Sequence, residues 1–141
     1  MSMRSLRSIV AGQAPISAGR SSTVIDAART MKAHDVGALL VLDGTRLCGI
    51  FTERDALFRV LAVARDPHTT PVSAVMTRDP QTIHPDKPFD EALRMMHEGR
   101  FRNVPIVEDG RPLGMVSARD ALDPDLIELR ASLELRELVR D

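Results

Sequence analysis

GIFTERD at residues 49–55 and GMVSARD at residues 114–120 are two versions of one seven-residue motif. Each version reads glycine, two apolar residues, threonine or serine, one variable residue, arginine and aspartate. The glycines at positions 49 and 114 are 65 residues apart, and so are the aspartates at positions 55 and 120. The repetition indicates either a repeated helix start or a repeated binding site. We call residues 49–55 the first motif and residues 114–120 the second motif.

The similarity extends far beyond the motif. Residues 7–55 align with residues 72–120 without a gap, and the identical pairs include Ser8/Ser73, Val10/Val75, Pro15/Pro80, Ala27/Ala92 and Met31/Met96. Self-similarity at a fixed spacing is typical of repeat architectures. We therefore predict a tandem duplication with a first repeat at 7–64, a linker at 65–71, a second repeat at 72–122 and a helical tail at 123–141.

Hydrophobic periodicity predicts the same elements in each repeat. An apolar stripe at i, i+3, i+4 and i+7 predicts an amphipathic helix, followed by a short apolar run and an Asp-Gly turn that together predict a hairpin. The stripe consists of Val24, Ala27, Ala28 and Met31 in the first repeat and of Phe89, Ala92, Leu93 and Met96 in the second. A unit of this size buries too little surface alone. We expect an α+β fold in which the two repeats pack sheet against sheet around a pseudo-twofold axis, with duplicated clefts between them.

The C-terminal tail departs from the repeat. Asp125 is a plausible helix N-cap ahead of Leu126, Leu129 and Leu133. One interpretation is a helix that covers the core of the module. The other is a dimer contact, because further apolar residues widen the same face, namely Leu135, Leu138 and Val139.

Composition limits the class of protein. The 141 residues carry a formal net charge of −1 and only 3% aromatic residues, so we expect neither a basic field for nucleic acid nor a stacking platform for bases. The single cysteine, Cys48, excludes an intramolecular disulfide and suits a reducing compartment. No apolar run approaches the roughly 18 residues of a membrane span, and the N-terminus does not resemble a signal peptide. We expect a soluble, cytoplasmic protein that binds neither nucleic acid nor membrane.

Catalytic and metal motifs are absent from the sequence. The histidines at 34, 68, 84 and 97 have no HxxxH or HExxH spacing, and one cysteine cannot form a structural zinc site. There is no nucleophile elbow, P-loop or glycine-rich dinucleotide fingerprint. We expect no metal, no required cofactor and no enzymatic activity.

The motif itself has two compatible interpretations. Thr52 with Asp55, and Ser117 with Asp120, have the spacing of a capping box at a helix N-terminus. The same helix start can bind phosphate through free backbone N–H groups, and an aspartate can accept hydrogen bonds from a ribose diol. The motif arginines, Arg54 and Arg119, add cationic partners for phosphate oxygens.

The repeat, the two motifs and VGALLVLDGTRLCGIFTERD at residues 36–55 resemble the tandem CBS-domain (Bateman) module over about residues 7–122. The resemblance implies two βαββα repeats packed through their sheets, two clefts for adenosyl ligands and frequent dimers. It implies that Asp55 and Asp120 bind ribose and that Thr52 and Ser117 contact phosphate.

The resemblance also implies an adenine pocket formed by the segment entering each repeat and by the start of the second strand. Its residues here are Ser17, Ala18, Val36, Gly37, Ala38, Thr82, Ile83, Asn103, Val104 and Pro105. The two copies differ in charge nearby, because His97, Arg100 and Arg102 replace Lys32, Asp35 and Gly37. We expect a polyphosphate to prefer the cleft that the second-copy cations face, with Arg102 among its phosphate ligands.

The predicted function is a non-catalytic sensor that binds AMP, ADP or ATP, with NAD and S-adenosylmethionine as further candidates. It would signal in trans, as a homodimer, to an effector protein. The alternative is a ligand-free structural or protein-interaction module that uses the leucine-rich C-terminal helix.

Overall fold

The computed structural model describes residues 5–122. The first half contains helix α1 (Leu6–Val10), strand β1 (Ser17–Gly19), helix α2 (Val24–His34), strands β2 (Ala38–Asp43) and β3 (Arg46–Thr52), and helix α3 (Glu53–Asp55), which continues as a π-helix over Ala56–Leu61. The second half contains a 3₁₀ turn at Val72–Ala74, strand β4 (Thr77–Arg78), helix α4 (Phe89–Gly99), strands β5 (Asn103–Glu108) and β6 (Arg111–Ser117), and a 3₁₀ helix at Ala118–Leu122. The predicted C-terminal helix lies outside the described residues.

The two long helices form where the apolar stripes predict them. α2 begins after Thr23, whose hydroxyl oxygen accepts a hydrogen bond from the Asp26 N–H at 3.3 Å. It ends at Asp35 in the left-handed conformation, with φ of 51°. α4 ends in the same way at Arg100, with φ of 58°. The buried positions are Val24, Ala27 and Met31 in α2 and Phe89, Ala92 and Met96 in α4, which confirms the predicted core faces.

Strand pairing repeats at the same spacing of 65 residues. In the first repeat β1 pairs in parallel with β2, and β2 and β3 form an antiparallel hairpin; in the second repeat β5 and β6 form the equivalent hairpin. Ala18 pairs in parallel with Val41, and Ile83 forms the equivalent single bridge to Ile106. Each hairpin also has its register shift directly after that paired residue. The predicted α+β fold of two βαββα repeats is confirmed, with the first strand of the second repeat reduced to one bridge.

The two hydrophobic cores exchange their N-terminal segments. Leu6 and Val10 of α1 are buried in the core formed by α4, β5 and β6, whereas Val72, Val75 and Met76 are buried in the core formed by α2, β2 and β3. Burying one leucine side chain stabilises a fold by about 1.5–3 kcal/mol. Each repeat therefore depends on the other for part of its core. The strands β3 and β6 also contact one another between the repeats.

The motif glycines make room for these exchanged segments. A Cβ atom at Gly114 would lie 3.0 Å from the Val10 Cβ, and one at Gly49 would lie 2.9 Å from the Thr77 carbonyl oxygen and against the Met76 side chain. Gly114 therefore lets α1 approach β6 closely, and Gly49 lets residues 76–77 approach β3 closely. Among residues 5–122, no helix has the length and apolar character that a membrane crossing requires.

Candidate functional site

Each motif caps the helix that it begins. The Thr52 N–H donates to Asp55 Oδ2 at 3.0 Å, and the Asp55 N–H donates to Thr52 Oγ1 at 3.1 Å, so the first motif forms a complete capping box. In the second motif the Ser117 N–H donates to Asp120 Oδ2 at 2.6 Å, and the Ser117 hydroxyl lies 3.5 Å from the same oxygen. One carboxylate oxygen of each aspartate is therefore used in helix capping.

The backbone N–H that follows each Thr or Ser already has a partner. The Glu53 N–H donates to the Gly37 carbonyl at 2.9 Å, and the Ala118 N–H donates to the Arg102 carbonyl at 2.8 Å. These two bonds are related by the 65-residue spacing. The helix starts consequently offer fewer free N–H groups to a phosphate than the sequence interpretation supposed, and the hydroxyls and arginines of the motifs become the principal candidate donors.

A cleft of about 700 Å³ lies between the repeats, within the size range of small-molecule sites. One wall comes from the second motif and the other from the segment before β1 and the loop between α2 and β2. We call it the inter-repeat cleft. Its lining residues are Gln13, Ala14, Pro15, Ile16, Asp35, Val36, Gly37, Ala38, Glu53, Arg102, Asn103, Met115, Ser117, Ala118, Arg119 and Asp120.

The charges of the inter-repeat cleft are mixed. Three carboxylates, on Asp35, Glu53 and Asp120, face two guanidinium groups, on Arg102 and Arg119. Arg119 is partly engaged, because its Nη1 donates to the Asp35 carbonyl at 2.9 Å and its Nη2 lies 4.0 Å from Asp35 Oδ2. A ligand in this cleft would meet apolar surface, hydroxyl, carboxylate and guanidinium groups together.

The first motif is placed differently. Thr52, Arg54 and Asp55 do not line the inter-repeat cleft. Asp55 is only 6% exposed, and its Oδ1 lies 3.5 Å from Nε of Arg59. The Arg54 guanidinium lies over the Phe58 ring, 5.4 Å from its centroid.

The residues predicted for an adenine pocket are divided in the same way. Val36, Gly37, Ala38 and Asn103 line the inter-repeat cleft together with Arg102. Ser17, Ala18, Thr82, Ile83, Val104 and Pro105 do not line it; Ile83 and Val104 belong to the core of the second repeat.

Several lining residues of the cleft were not predicted from the sequence. They include the segment 13–16 and the side chains of Glu53 and Met115. The repeated prolines at 15 and 80 were a signal for the entering segment, because both occur at the same place in the alignment. Nothing in the sequence pattern indicated that Glu53 would lie against Gly37 of the neighbouring loop, where its Oε1 is 3.0 Å from the position of a Cβ.

A polar cluster away from the cleft joins α1 to the second repeat. Arg7 donates through Nε to Asp86 Oδ1 at 3.0 Å and through Nη2 to Glu108 Oε2 at 2.7 Å. These hydrogen bonds lower the pKa of Asp86 and of Glu108, and they raise the pKa of Arg7. His84, Asp86 and Glu108 could approach one cation, but the Arg7 guanidinium already donates hydrogen bonds to both carboxylates, and Nδ1 of His84 accepts the Asp86 N–H at 3.1 Å.

The family model of the CBS domain matches this chain twice, at residues 7–62 and 72–124. Among curated proteins, the chain is 37% identical over 115 residues to the CBS domain-containing protein CBSCBSPB5 of Arabidopsis thaliana. That match covers 81% of this chain and 21% of the relative, so the chain spans about a fifth of that protein's length.

Solved structures with the same fold include two adenosyl complexes. One is the CBS domain pair of protein MJ0100 in complex with 5-methylthioadenosine and S-adenosyl-L-methionine, with a TM-score of 0.70, 29% identity, and coverage of 77% of this chain and 89% of that one. The other is the CBS domain protein PAE2072 from Pyrobaculum aerophilum complexed with AMP; its TM-score is 0.79 at 21% identity, with coverage of 92% and 99%, and this likeness shows the fold.

CBS domains are in general regulatory modules rather than catalytic ones. The duplicated sequence, the two βαββα repeats and the double match of the family model agree throughout. The chain belongs to the CBS domain family and contains a tandem pair of these domains.

Proposed function

We propose that this CBS pair is a non-catalytic sensor that binds an adenosyl ligand in the inter-repeat cleft. The observation that carries the proposal is the convergence of Ser117, Arg119 and Asp120 of one repeat with residues 36–38 of the other around a cleft of about 700 Å³. The candidate ligands are AMP, ADP, ATP, NAD and S-adenosylmethionine. Two proteins of the same fold, in complexes with AMP or with 5-methylthioadenosine and S-adenosyl-L-methionine, support this ligand class.

The chemistry of the lining residues matches the parts of such a ligand. Asp120 uses Oδ2 to cap its helix, and a carboxylate has a second oxygen that can accept from ribose hydroxyls. Ile16 and Val36 offer apolar surface for an adenine ring, and Arg102 and Ser117 offer donors to a phosphate. A ligand bound in this way would contact both repeats. If the ligand binds one arrangement of the two repeats more tightly than another, it shifts the population toward that arrangement.

We also propose that the sensor acts as a homodimer and passes its signal in trans to an effector protein. An apolar patch on the helical segment after Asp55 and on the turn that follows it supports an interface, because its four residues are 50–67% exposed. The patch consists of Leu57, Phe58, Leu61 and Val63.

The test of ligand binding is a thermal-shift screen against AMP, ADP, ATP, NAD, S-adenosylmethionine and 5'-methylthioadenosine. A ligand at 100-fold excess over its Kd stabilises the native state by about 2.7 kcal/mol, which raises Tm by several degrees. Asp120→Asn should remove the shift, and Asp43→Asn, on an exposed hairpin end outside the cleft, is the matched control. If no adenosyl compound raises Tm, the sensor proposal fails and the ligand-free interaction module remains.

A further inference from the structure

Within residues 5–122, the two motif aspartates differ in what surrounds their second oxygen. In Asp55 the helix cap occupies Oδ2, and the Arg59 guanidinium lies 3.5 Å from Oδ1. The Asp55 side chain is 8% exposed. A ribose diol would have to reach a buried carboxylate whose two oxygens already have partners.

Arg59 is itself anchored. Its Nη1 donates to the Met76 carbonyl at 2.9 Å and lies 3.4 Å from the Val75 carbonyl, both in the segment that enters the first core from the second repeat. Asp55 and Arg59 are also four residues apart on one helical segment, which places them on the same face. Moving Arg59 away would break its hydrogen bonds to these carbonyl oxygens. It would also leave Asp55 as a buried carboxylate without its cation, which destabilises the folded state.

The second motif differs at the matching position. Four residues after Asp120 the sequence has Pro124, in the tail that departs from the repeat, and this residue has no cationic side chain. Asp120 is half-buried and lines the inter-repeat cleft, whereas Asp55 does not. The pseudo-twofold symmetry of the fold is therefore broken at the groups that would recognise ribose.

We propose that Arg59 is a positioning residue that holds the Asp55 carboxylate in a structural role, so that the chain binds one adenosyl ligand, through Asp120 only. This inference rests on the proposed function and goes beyond it, because the duplicated motif by itself predicts two sites. In this scheme Asp55 and Arg59 together connect the helical segment after β3 to Met76, and the second motif binds the ligand.

Calorimetric titration with 5'-methylthioadenosine and with AMP measures the number of sites. The wild-type chain should bind one ligand, Asp120→Asn should lose binding, and Asp55→Asn should bind with unchanged stoichiometry and with an affinity within about twofold of wild type. Arg59→Met keeps the length of the side-chain stem but removes the guanidinium, and it should gain a second binding event. That event should disappear in the Asp55→Asn/Arg59→Met double variant, and Arg59→Lys should stay at one site.

Three results would overturn the inference: two sites in the wild-type chain, loss of binding in Asp55→Asn, or a single site in Arg59→Met. If neither compound binds any variant, the proposed function fails, and a ligand-free measurement then tests Arg59. Arg59→Met should lower Tm in the wild-type background and much less in the Asp55→Asn background, because the lost partner is Asp55. Equal Tm changes in the two backgrounds would show that Arg59 does not act through Asp55.

Discussion

The Arg119 guanidinium donates a 2.9 Å hydrogen bond to the carbonyl oxygen of Asp35, 84 residues earlier in the chain. The bond joins the second motif to the end of α2 across the inter-repeat cleft. The pair at the positions 65 residues away is Arg54 and Arg100. Both of these side chains are cations, and the Arg54 guanidinium lies over the Phe58 ring. The repeats are therefore alike in backbone and unlike in charge.

This difference leads to a prediction about ligand charge. Asp35→Asn removes one carboxylate from the cleft while keeping a residue that tolerates the left-handed conformation. We expect affinity for AMP to rise about twofold at low salt, about 0.5 kcal/mol for an exposed charge, and affinity for 5'-methylthioadenosine, which has no phosphate, to stay constant. Calorimetry at two salt concentrations measures both, and the AMP gain should shrink at high salt. An equal gain for both ligands would exclude an electrostatic cause.

The exchange of core segments predicts that Leu6, at the start of the chain, stabilises the core of the second repeat. Leu6 is fully buried against residues of α4, β5 and β6. Leu6→Ala should lower the free energy of unfolding by about 2–5 kcal/mol, as much as Leu39→Ala in the middle of β2. Urea unfolding compares the two variants. A near-neutral Leu6→Ala beside a costly Leu39→Ala would contradict the exchange.

The glycine of the first motif is predicted to serve packing. Gly49→Ala would place a methyl group 2.9 Å from the Thr77 carbonyl oxygen and should cost about 1–3 kcal/mol of folding stability. The control is Gly19→Ala, because the nearest atom to a Cβ there is Ser22 Oγ at 3.9 Å. Chemical denaturation of the two variants should separate them clearly. Similar stabilities would show that the first motif does not need glycine for close approach.

The cluster around Arg7 predicts an acid-dependent contribution to stability. Hydrogen bonds from Arg7 lower the pKa of Asp86 and of Glu108 in the folded state, so the cluster stabilises the protein above the ordinary carboxyl pKa values, and this contribution is lost as the pH falls through the lowered values. Arg7→Met should therefore reduce Tm at pH 7, and the difference from wild type should narrow below roughly pH 4. Thermal melts of both proteins at about pH 3 to about pH 7 measure this difference in Tm. A difference that does not change with pH would contradict the role of the carboxylates.

The apolar patch predicts a change in oligomeric state. Leu61→Asp places a charge among apolar residues that are 50–67% exposed in one copy of the chain, and a dimer formed through them should dissociate. Light scattering after size-exclusion chromatography measures the mass. Thr45→Asp, at the exposed β2–β3 turn, is the control and should leave the mass unchanged. If Leu61→Asp and wild type have the same mass, the homodimer does not use this patch.

Sequence alone was sufficient for the features that depend on neighbouring residues. The stripes of α2 and α4, the two hairpins, the capping box of the first motif and the Ser117–Asp120 bond of the second are set by spacing within about ten residues, where helix and strand periods act directly. The gapless repeat added one long-range fact, because equal sequences at a constant spacing imply equal folds. The two βαββα units could therefore be predicted, but the sequence did not indicate that Val36, Gly37 and Ala38 of the first repeat would share a cleft with Ser117 and Asp120 of the second.

Tertiary structure decided that Ser117, Arg119 and Asp120 of the second motif line the cleft, whereas the first motif contributes Glu53 and buries Asp55. The contacts that distinguish the two motifs join Arg59 to Met76 and Arg119 to Asp35, over 17 and 84 residues of chain. Periodicity carries no information over such separations, because these side chains meet only after the exchanged segments have packed. Local sequence sets two capped helix starts, and two long-range contacts, of Arg59 with the Met76 carbonyl and of Arg119 with the Asp35 carbonyl, make their surroundings unequal.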